Sequence, residues 1–217
     1  MATRSEKREL SAKALLRAAE RVFAEKSYFG ATVRDIADEA GLNLSLISYH
    51  FGGKEALFAK VIEDRLPQLI QDLETALSSS KADNSAQALI GAFADAMLDK
   101  CTDFESGWGY YIQLISRSMS PYHIPQLRPA LTALTTVGEV LLDALAELDQ
   151  RGNEFQRQLG VYFIESAITY IVQDEWVLSA RASALPTCTA RSPQLREGLV
   201  TFLSAGYKAM TSAKPPL

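Results

Sequence analysis

The fold of this chain is decided by residues 32–51, which read TVRDIADEAGLNLSLISYHF. Thr32 followed three residues later by Asp35 is a capping-box pattern, and it predicts a short helix over Val33–Ala40. Gly41 comes next and suits the left-handed backbone conformation with which a helix can end in a sharp turn. The sequence therefore predicts one short capped helix followed by an abrupt change of direction.

A second short helix is predicted beyond the turn, over Leu44–Phe51, with Asn43 as its N-cap. Ala37 falls where the two helices cross, and a larger side chain there would push them apart. Apolar residues of both helices can close on a longer preceding helix: Ile36, Ala40, Leu42, Ile47 and Phe51 against Leu15, Val22 and Phe23. That packing leaves small polar and aromatic side chains facing outward: Asn43, Leu44, Ser45, Ser48 and Tyr49. A short outward helix of this kind can enter the major groove of DNA, which is about 12 Å wide.

The charge of the chain is distributed unevenly. Residues 1–34 hold eight basic and four acidic side chains, a balance of +4, whereas the whole chain carries a formal net charge of −4. The other 183 of the 217 residues therefore carry −8, and an electropositive end on an acidic body indicates contact with a polyanion. A helix face of mixed charge that only meets solvent explains the same numbers, so charge alone leaves both interpretations open.

Helical spacing of apolar residues continues through the rest of the chain, and no clean alternation predicts a strand. The first helix is predicted over Ser5–Lys26, and residues 78–84 form the clearest loop. Six further helices are predicted: Lys54–Ser78 with a bend at Pro67, Ser85–Lys100, Ser106–Ser118, Gln126–Asp149, Asn153–Arg181 and Pro193–Thr211. We therefore expect an all-α fold, with an N-terminal three-helix domain over residues 1–53 and a larger helical bundle over residues 54–217.

The two short helices and the segment after them resemble a known protein family. Residues 32–51, together with GGKEALF at residues 52–58, resemble the N-terminal DNA-binding domain of TetR-family transcriptional regulators, and YHFGGKEALF is the most specific part. The resemblance implies a sequence-specific DNA-binding regulator, expected to be a dimeric repressor that a small, largely hydrophobic ligand releases from a palindromic operator. It also implies that the C-terminal helices form the ligand pocket and the homodimer interface. The effector remains unidentified.

Transferred position by position, the resemblance implies a set of DNA contacts. Thr32 and Arg34 would touch the DNA backbone at the start of the first of the two short helices, and His50 and Lys54 would hold phosphates. Five residues would face the groove: Asn43, Leu44, Ser45, Ser48 and Tyr49. Two positions depart from the family: position 44 is often basic or small and is Leu here, and position 48 is often Tyr and is Ser here. The second short helix therefore has few charged donors, and Leu44 is expected to touch a thymine methyl group.

Packing explanations stay open for three of these residues. His50 can be a partly buried packing residue, Tyr49 can cover the junction of the two short helices, and Leu44 can pack inward. Each alternative predicts a covered side chain, whereas contact with DNA requires an accessible one.

Candidate ligand-binding residues come from two later segments. The predicted helix over residues 106–118 mixes aromatic and polar side chains, which suits a mostly apolar pocket. A polar seam runs through residues 153–181, and buried polar groups need partners. The predicted pocket residues are Trp108, Tyr111, Gln113, Arg117, Glu165, Thr169 and Gln173. Ordinary packing is the alternative for each of them. Phe155–Trp176 and Leu195–Met210 are expected to form a four-helix dimer interface, because both are long and apolar.

Other classes of protein are not favoured. The histidines His50 and His123 have no H-E-x-x-H or C-x-x-C companion, and no G-x-S-x-G motif is present, so we expect no enzyme, cofactor or metal site. The apolar run Val161–Ile164 is broken at once by an acidic residue, so no membrane span is expected. The N-terminus lacks an apolar signal segment, which predicts a cytoplasmic protein with Cys101 and Cys188 as reduced thiols. A DNA-binding protein without an effector stays open as a rival.

Overall fold

The computed structural model describes residues 3–117, 124–149, 153–173 and 192–212, and every regular element in these ranges is helical. The α-helices are α1 (Arg4–Gly30), α2 (Val33–Ala40), α3 (Ser45–Phe51), α4 (Lys54–Ser80), α5 (Ala86–Thr102), α6 (Trp108–Ser116), α7 (Arg128–Ala133), α8 (Thr136–Leu148), α9 (Glu154–Gln173) and α10 (Pro193–Ser212). The predicted all-α fold is confirmed. His123, Cys188 and the end of the helix predicted over Asn153–Arg181 lie outside the described ranges.

Helix α1 begins at a capping box and contains one break. The Thr3 hydroxyl accepts a hydrogen bond from the Glu6 amide at 3.2 Å, and the Glu6 carboxylate accepts one from the Thr3 amide at 2.6 Å. Two free amides at the helix start are thereby satisfied. The helix was predicted to end at Lys26 but continues to Gly30, past Ser27, whose φ of 60° and ψ of 170° interrupt the helical backbone.

The prediction of a single helix over Gln126–Asp149 is wrong. The amides of Leu134 and Gly138 donate to carbonyl groups three residues back, at Leu131 and Thr135. These tighter bonds interrupt the α-helical ladder between the two halves of the segment. Two helices, α7 and α8, therefore replace the predicted one.

The prediction of a loop over residues 78–84 is also wrong for most of that segment. The hydroxyl groups of Ser79 and Ser80 donate to the carbonyls of Thr75 at 2.9 Å and Ala76 at 3.3 Å. Serine side chains that find acceptors inside a helix do not have to interrupt it. Helix α4 consequently reaches Ser80 and is followed by a 3₁₀ turn that ends at Asn84, where φ is 44°.

The chain forms two compact units. The first combines the residues up to Pro67 with Asp103–Leu134, and the second combines Gln68–Thr102 with the residues from Thr135 onward. In the first unit α1 packs against α2, α3 and α6, and in the second unit α5 packs against α8, α9 and α10. The predicted bend at Pro67 and the predicted domain boundary after residue 53 stay predictions. Among the helices described, none is long and apolar enough to cross a membrane.

Candidate nucleic-acid interface

The turn between α2 and α3 has the geometry that the sequence predicts. Gly41 adopts the left-handed conformation, with φ 63° and ψ 30°. Its amide donates to Asp38 O at 3.1 Å, and the Leu42 amide donates to Ala37 O at 3.0 Å, which together form a Schellman motif. Ala37 is 3% exposed and Ile47 is 1% exposed. A small residue on α2 and an apolar residue on α3 are thus both in the core of the helix-turn-helix.

The start of α2 is held by the predicted capping box. Thr32 Oγ1 accepts from the Asp35 amide at 3.1 Å, and the Asp35 carboxylate accepts from the Thr32 amide at 2.9 Å. Lys26 adds an ion pair to Asp35 at 2.8 Å. The bond from Lys26, followed by those from Thr32, lowers the pKa of Asp35 to about 2. The two residues predicted to touch the DNA backbone here, Thr32 and Arg34, are exposed.

The start of α3 agrees with the prediction to within one residue. The helix begins at Ser45, and Leu44 before it already has helical dihedral angles (φ −50°, ψ −38°) and makes no side-chain cap bond. The capping bond comes from Asn43, the predicted N-cap, whose Oδ1 accepts from the Ser45 amide at 2.9 Å and from Ser45 Oγ at 2.8 Å. The Asn43 carbonyl also accepts the first helical bond, from the Leu46 amide at 3.0 Å, as the carbonyl of an N-cap residue does.

The five residues predicted to face the groove, at the start of α3 and along it, are all accessible. Leu44 is 45% exposed and Tyr49 is 61% exposed, and Asn43, Ser45 and Ser48 are exposed as well. Burial therefore does not support the alternatives in which Leu44 packs inward or Tyr49 covers the helix junction. Contact with DNA stays a prediction for all five residues.

His50 is half-buried and contacts α1. Its Nε2 lies 2.9 Å from Ser11 Oγ. The Arg8 guanidinium lies 5.3 Å from the centre of the Tyr49 ring, and the rings of Tyr49 and His50 meet edge to face at 4.9 Å. These contacts of Arg8 and Ser11 were not predicted from the sequence, although a spacing of three residues places both side chains on one face of α1.

Lys54 lies at the first position of α4, where unpaired amides make a helix end electropositive. Its Nζ lies 4.4 Å from the centre of the Tyr28 ring, and partial burial lowers the pKa of Lys54. The Tyr28 hydroxyl donates to Glu55 at 3.2 Å. Burial, followed by the charge of Glu55, raises the pKa of Tyr28 to about 12. A cation and free amides at the same helix end suit a phosphate group.

A buried ion pair joins α1 and α4 within the first unit, and it was not predicted from the sequence. Glu20 is 2% exposed. Its carboxylate accepts two hydrogen bonds from Arg65, at 2.8 and 3.0 Å, and a third from Arg17 at 2.9 Å. Arg65 also donates to Ser106 O at 2.9 Å, directly before α6. Charge-assisted bonds that satisfy every oxygen of a buried carboxylate make this contact specific.

Four of the predicted pocket residues lie in the first unit. Tyr111 is fully buried and its hydroxyl donates to Ile62 O at 2.7 Å. Arg117 donates to Ala24 O at 2.8 Å, and the Trp108 ring lies 4.9 Å from the Arg65 guanidinium. Gln113 is half-buried. These contacts tie α6 to α1 and α4, and the role of the four residues in a pocket stays a prediction.

The other three predicted pocket residues, Glu165, Thr169 and Gln173, lie half-buried on α9 in the second unit. The Glu165 carboxylate packs so closely on Gly138 that a side chain at that position would clash with it. Burial, followed by the charge of Glu139, raises the pKa of Glu165 to about 7. Among the described residues no cation pairs with Glu165, so its environment favours the neutral acid.

Two family models match the chain. Residues 15–61 match the model of bacterial regulatory proteins of the tetR family, and residues 91–206 match the tetracyclin repressor-like C-terminal domain. The second match alone covers more than half of the 217 residues. The first match contains every predicted DNA contact, from Thr32 to Lys54.

Similar proteins and structures agree with these models. The chain is 29% identical to the probable HTH-type transcriptional regulator YttP of Bacillus subtilis (strain 168) over 83 residues, which are 38% of this chain and 40% of YttP. It spans 40% or less of the length of the curated relatives that it matches first.

Among solved structures, the transcriptional regulator FadR from Bacillus subtilis in complex with stearoyl-CoA gives a TM-score of 0.63 at 16% identity, over 89% of this chain and 98% of FadR. AibR in complex with isovaleryl coenzyme A and operator DNA gives 0.67 at 15% identity, over 89% of this chain and 98% of AibR. At such identities these two matches show a shared fold.

Proposed function

The chain belongs to the tetR family of bacterial regulatory proteins and is a transcriptional regulator, and we propose that it acts as a dimeric repressor that a small, largely hydrophobic ligand releases from a palindromic DNA operator. The observation that carries the proposal is the exposed face of α3. A helix anchored by Ile47 turns small polar groups and one aromatic ring to solvent, and Lys54 follows three residues after the helix ends. Such a face suits base edges, and the flanking cation suits phosphates.

The proposed contacts divide into two classes. Asn43, Leu44, Ser45, Ser48 and Tyr49 read base edges, and Thr32, Arg34, His50 and Lys54 hold the backbone. The recognition helix itself carries no Lys or Arg, so its specificity depends on hydroxyl and amide hydrogen bonds and on apolar contact of Leu44 with a thymine methyl group. The backbone contacts then supply most of the affinity, and this affinity falls as salt is added.

The proposed dimer uses α9 and α10. Helix α9 exposes aromatic rings along its length, at Phe155, Tyr162, Phe163 and Tyr170, each at least 50% exposed, and Phe202 of α10 is 76% exposed. A concentration of large apolar side chains on a surface marks a site of association. The segments proposed to pair are Phe155–Trp176, whose last three residues lie outside the described ranges, and Leu195–Met210. A two-fold axis would set two recognition helices about 34–36 Å apart.

The dimer is tested by light scattering at micromolar concentration. The wild-type chain is expected to have twice the monomer mass. Tyr162→Asp together with Phe202→Asp places charges in the proposed interface and should give monomers. Leu10→Asp, at a residue that is 64% exposed on α1, is the matched control and should leave the dimer intact. A wild-type monomer would exclude this part of the proposal.

The proposed ligand acts through α4, which starts beside the helix-turn-helix and continues into the second unit. A ligand bound in the bundle shifts this helix, changes the spacing of the recognition helices and weakens operator binding. A coupling of about 1–3 kcal/mol gives a 5- to 150-fold change in affinity. We propose ligand-binding residues within each unit: Trp108, Tyr111, Gln113 and Arg117 in the first, and Glu165, Thr169 and Gln173 in the second.

Two proteins with this fold, FadR and AibR, are described in complex with acyl-CoA ligands, so stearoyl-CoA and isovaleryl-CoA are the first probes for this chain. A ligand at 100 times its Kd stabilises the protein by about 2.7 kcal/mol. If neither these probes nor a broad panel of apolar metabolites changed the melting temperature, the alternative of a DNA-binding protein without an effector would be favoured.

The DNA-binding proposal is tested by selection from a library of random duplexes. The wild-type protein is expected to enrich a palindrome, and fluorescence anisotropy then measures its affinity for that selected duplex. Replacing Ser45, Ser48 and Tyr49 together by alanine should abolish sequence-selective retention, because the base contacts are lost. A matched control replaces the exposed serines Ser78 and Ser79 by alanine and should bind as the wild type does. A triple variant that still selects the same palindrome would overturn the proposal.

A further inference from the structure

A hydrogen bond between α1 and α3 joins Ser11 to His50. Ser11 Oγ lies 2.9 Å from His50 Nε2, and the two residues are 39 positions apart in the sequence. The Ser11 oxygen has a second contact, because it lies 2.9 Å from Arg8 O, three residues earlier in α1. Both distances are normal for hydrogen bonds.

The two contacts together determine which group donates. A serine hydroxyl has one proton, and a backbone carbonyl can only accept. If the Ser11 proton is donated to Arg8 O, the contact with His50 requires a proton on Nε2. Both bonds therefore form at once only when the ring donates Nε2–H to Ser11 Oγ. In the neutral ring this places the lone pair on Nδ1.

The neighbouring side chain of α3 is held by the same turn of α1. The Arg8 guanidinium lies over the Tyr49 ring, and the Tyr49 ring packs edge to face on His50. Ser11 and Arg8 are three residues apart, so one face of α1 contacts two consecutive residues of the recognition helix. In the described part of the chain, Nδ1 of His50 has no hydrogen-bond partner, whereas Nε2 is occupied.

We propose that Ser11 is a positioning residue for DNA binding: it accepts Nε2–H of His50 and so presents the Nδ1 edge of the ring to the DNA backbone. This inference rests on the proposed function, in which His50 holds a phosphate. Nδ1 donates to a phosphate oxygen when the ring carries its second proton. A ring released from Ser11 can rotate and exchange tautomers, so its contact with the phosphate is no longer pre-organised.

The tautomer is measured on the free protein by long-range ¹H–¹⁵N correlation of the histidine side chains, at a pH where His50 is neutral. The wild type is expected to show Nε2–H with an unprotonated Nδ1, and Ser11→Ala should show a mixture of tautomers. Ser11→Thr keeps a hydroxyl that can make both contacts and should restore the wild-type pattern. A wild-type ring with Nδ1–H, or a tautomer unchanged in Ser11→Ala, would overturn the inference without bearing on the proposed function.

The effect on DNA is measured with the duplex selected by the wild type. Ser11→Ala should weaken binding about two- to tenfold, the range of one neutral hydrogen bond, and Ser11→Thr should bind as the wild type does. In a His50→Ala background Ser11→Ala should have no further effect, because there is no ring to position. Ser5→Ala, at an exposed serine of the same helix, is the control. Equal losses in both backgrounds would show that Ser11 acts only on stability, and a wild type that selects no duplex would refute the proposed function itself.

Discussion

The two compact units differ in the environment that each gives to one glutamate. Glu20 lies in the first unit and Glu165 in the second. Glu20 is 2% exposed and accepts three hydrogen bonds from two arginines. Glu165 is half-buried, lies near the like charge of Glu139, and has a pKa raised to about 7. The first unit thus has a satisfied ionic centre close to the helix-turn-helix, whereas the second has an acid that favours its neutral form. A buried carboxylate with both oxygens paired holds its neighbouring helices in one arrangement, whereas a carboxyl group without a cation among the described residues imposes no such constraint.

The largest expected effect comes from breaking the satisfied pair. Glu20→Ala should destabilise the protein by about 3–5 kcal/mol, because Arg65 would be left largely buried without its counter-charge. The measurement is the free energy of unfolding by urea. Glu9→Ala removes an exposed glutamate of the same helix that pairs with Lys13, and it should leave the stability unchanged. Similar values for both variants would show that the buried Glu20 contributes no more to stability than an exposed glutamate does.

A smaller effect, of opposite sign, is expected at Glu165. Its pKa is raised in the folded chain, so the stabilisation by the bound proton is fully present below about pH 4.5 and is lost as the pH rises through about 7. Glu165→Gln should therefore be more stable than the wild type at pH 8, by on the order of 2 kcal/mol, and should match it near pH 4. Thermal unfolding of both proteins at both pH values measures this. If the difference in stability between the wild type and the variant were the same at pH 4 and pH 8, the raised pKa of Glu165 would be refuted.

The smallest expected effect concerns backbone strain in the first unit, the unit in which the Glu20 carboxylate is fully paired. Ser27 has φ 60° and ψ 170°, a region that only glycine adopts without cost. Ser27→Gly should raise the stability by about 1 kcal/mol, since relief of strain exceeds the entropy that glycine adds to the unfolded chain. The corresponding rise in Tm is about 2–4 °C for a chain of this size. Ser79→Gly, in the helical backbone of α4, should lower Tm instead, and a decrease for both would exclude strain at Ser27.

The helix-turn-helix could be predicted because its signals are local. The capping box at Thr32 and the left-handed Gly41 each depend on a few neighbouring residues, and both are present as predicted. The start of α3 could be predicted to within one residue for the same reason, because the Asn43 side chain caps the helix through the Ser45 amide, only two residues away. The break between α7 and α8 was missed because neither of the two residues between these helices, Leu134 and Thr135, is Gly or Pro, and Gly138 lies within the first turn of α8.

The partners of the candidate site could not be predicted, because they come from distant parts of the chain. His50 contacts Ser11 and Lys54 lies on Tyr28, and no spacing rule links residues so far apart. The exposure of α3 was predictable from its apolar periodicity alone. The environment of Glu165 depends on α8, which packs against α9. The sequence of α9 could therefore predict a row of polar side chains, but it could not predict which of them favours its neutral form.

By itself the sequence determined the all-helical architecture, the position of the turn between α2 and α3 and the residues that face outward from α3. These features follow from helical periodicity, capping and glycine conformation, which act over a few residues. Only the tertiary structure decided that Glu20 is neutralised by two arginines, that no cation in the described part of the chain pairs with Glu165, and that α1 contacts the rings of Tyr49 and His50. Charge pairing and ring orientation depend on which helices meet, and that is set by the packing of the whole unit.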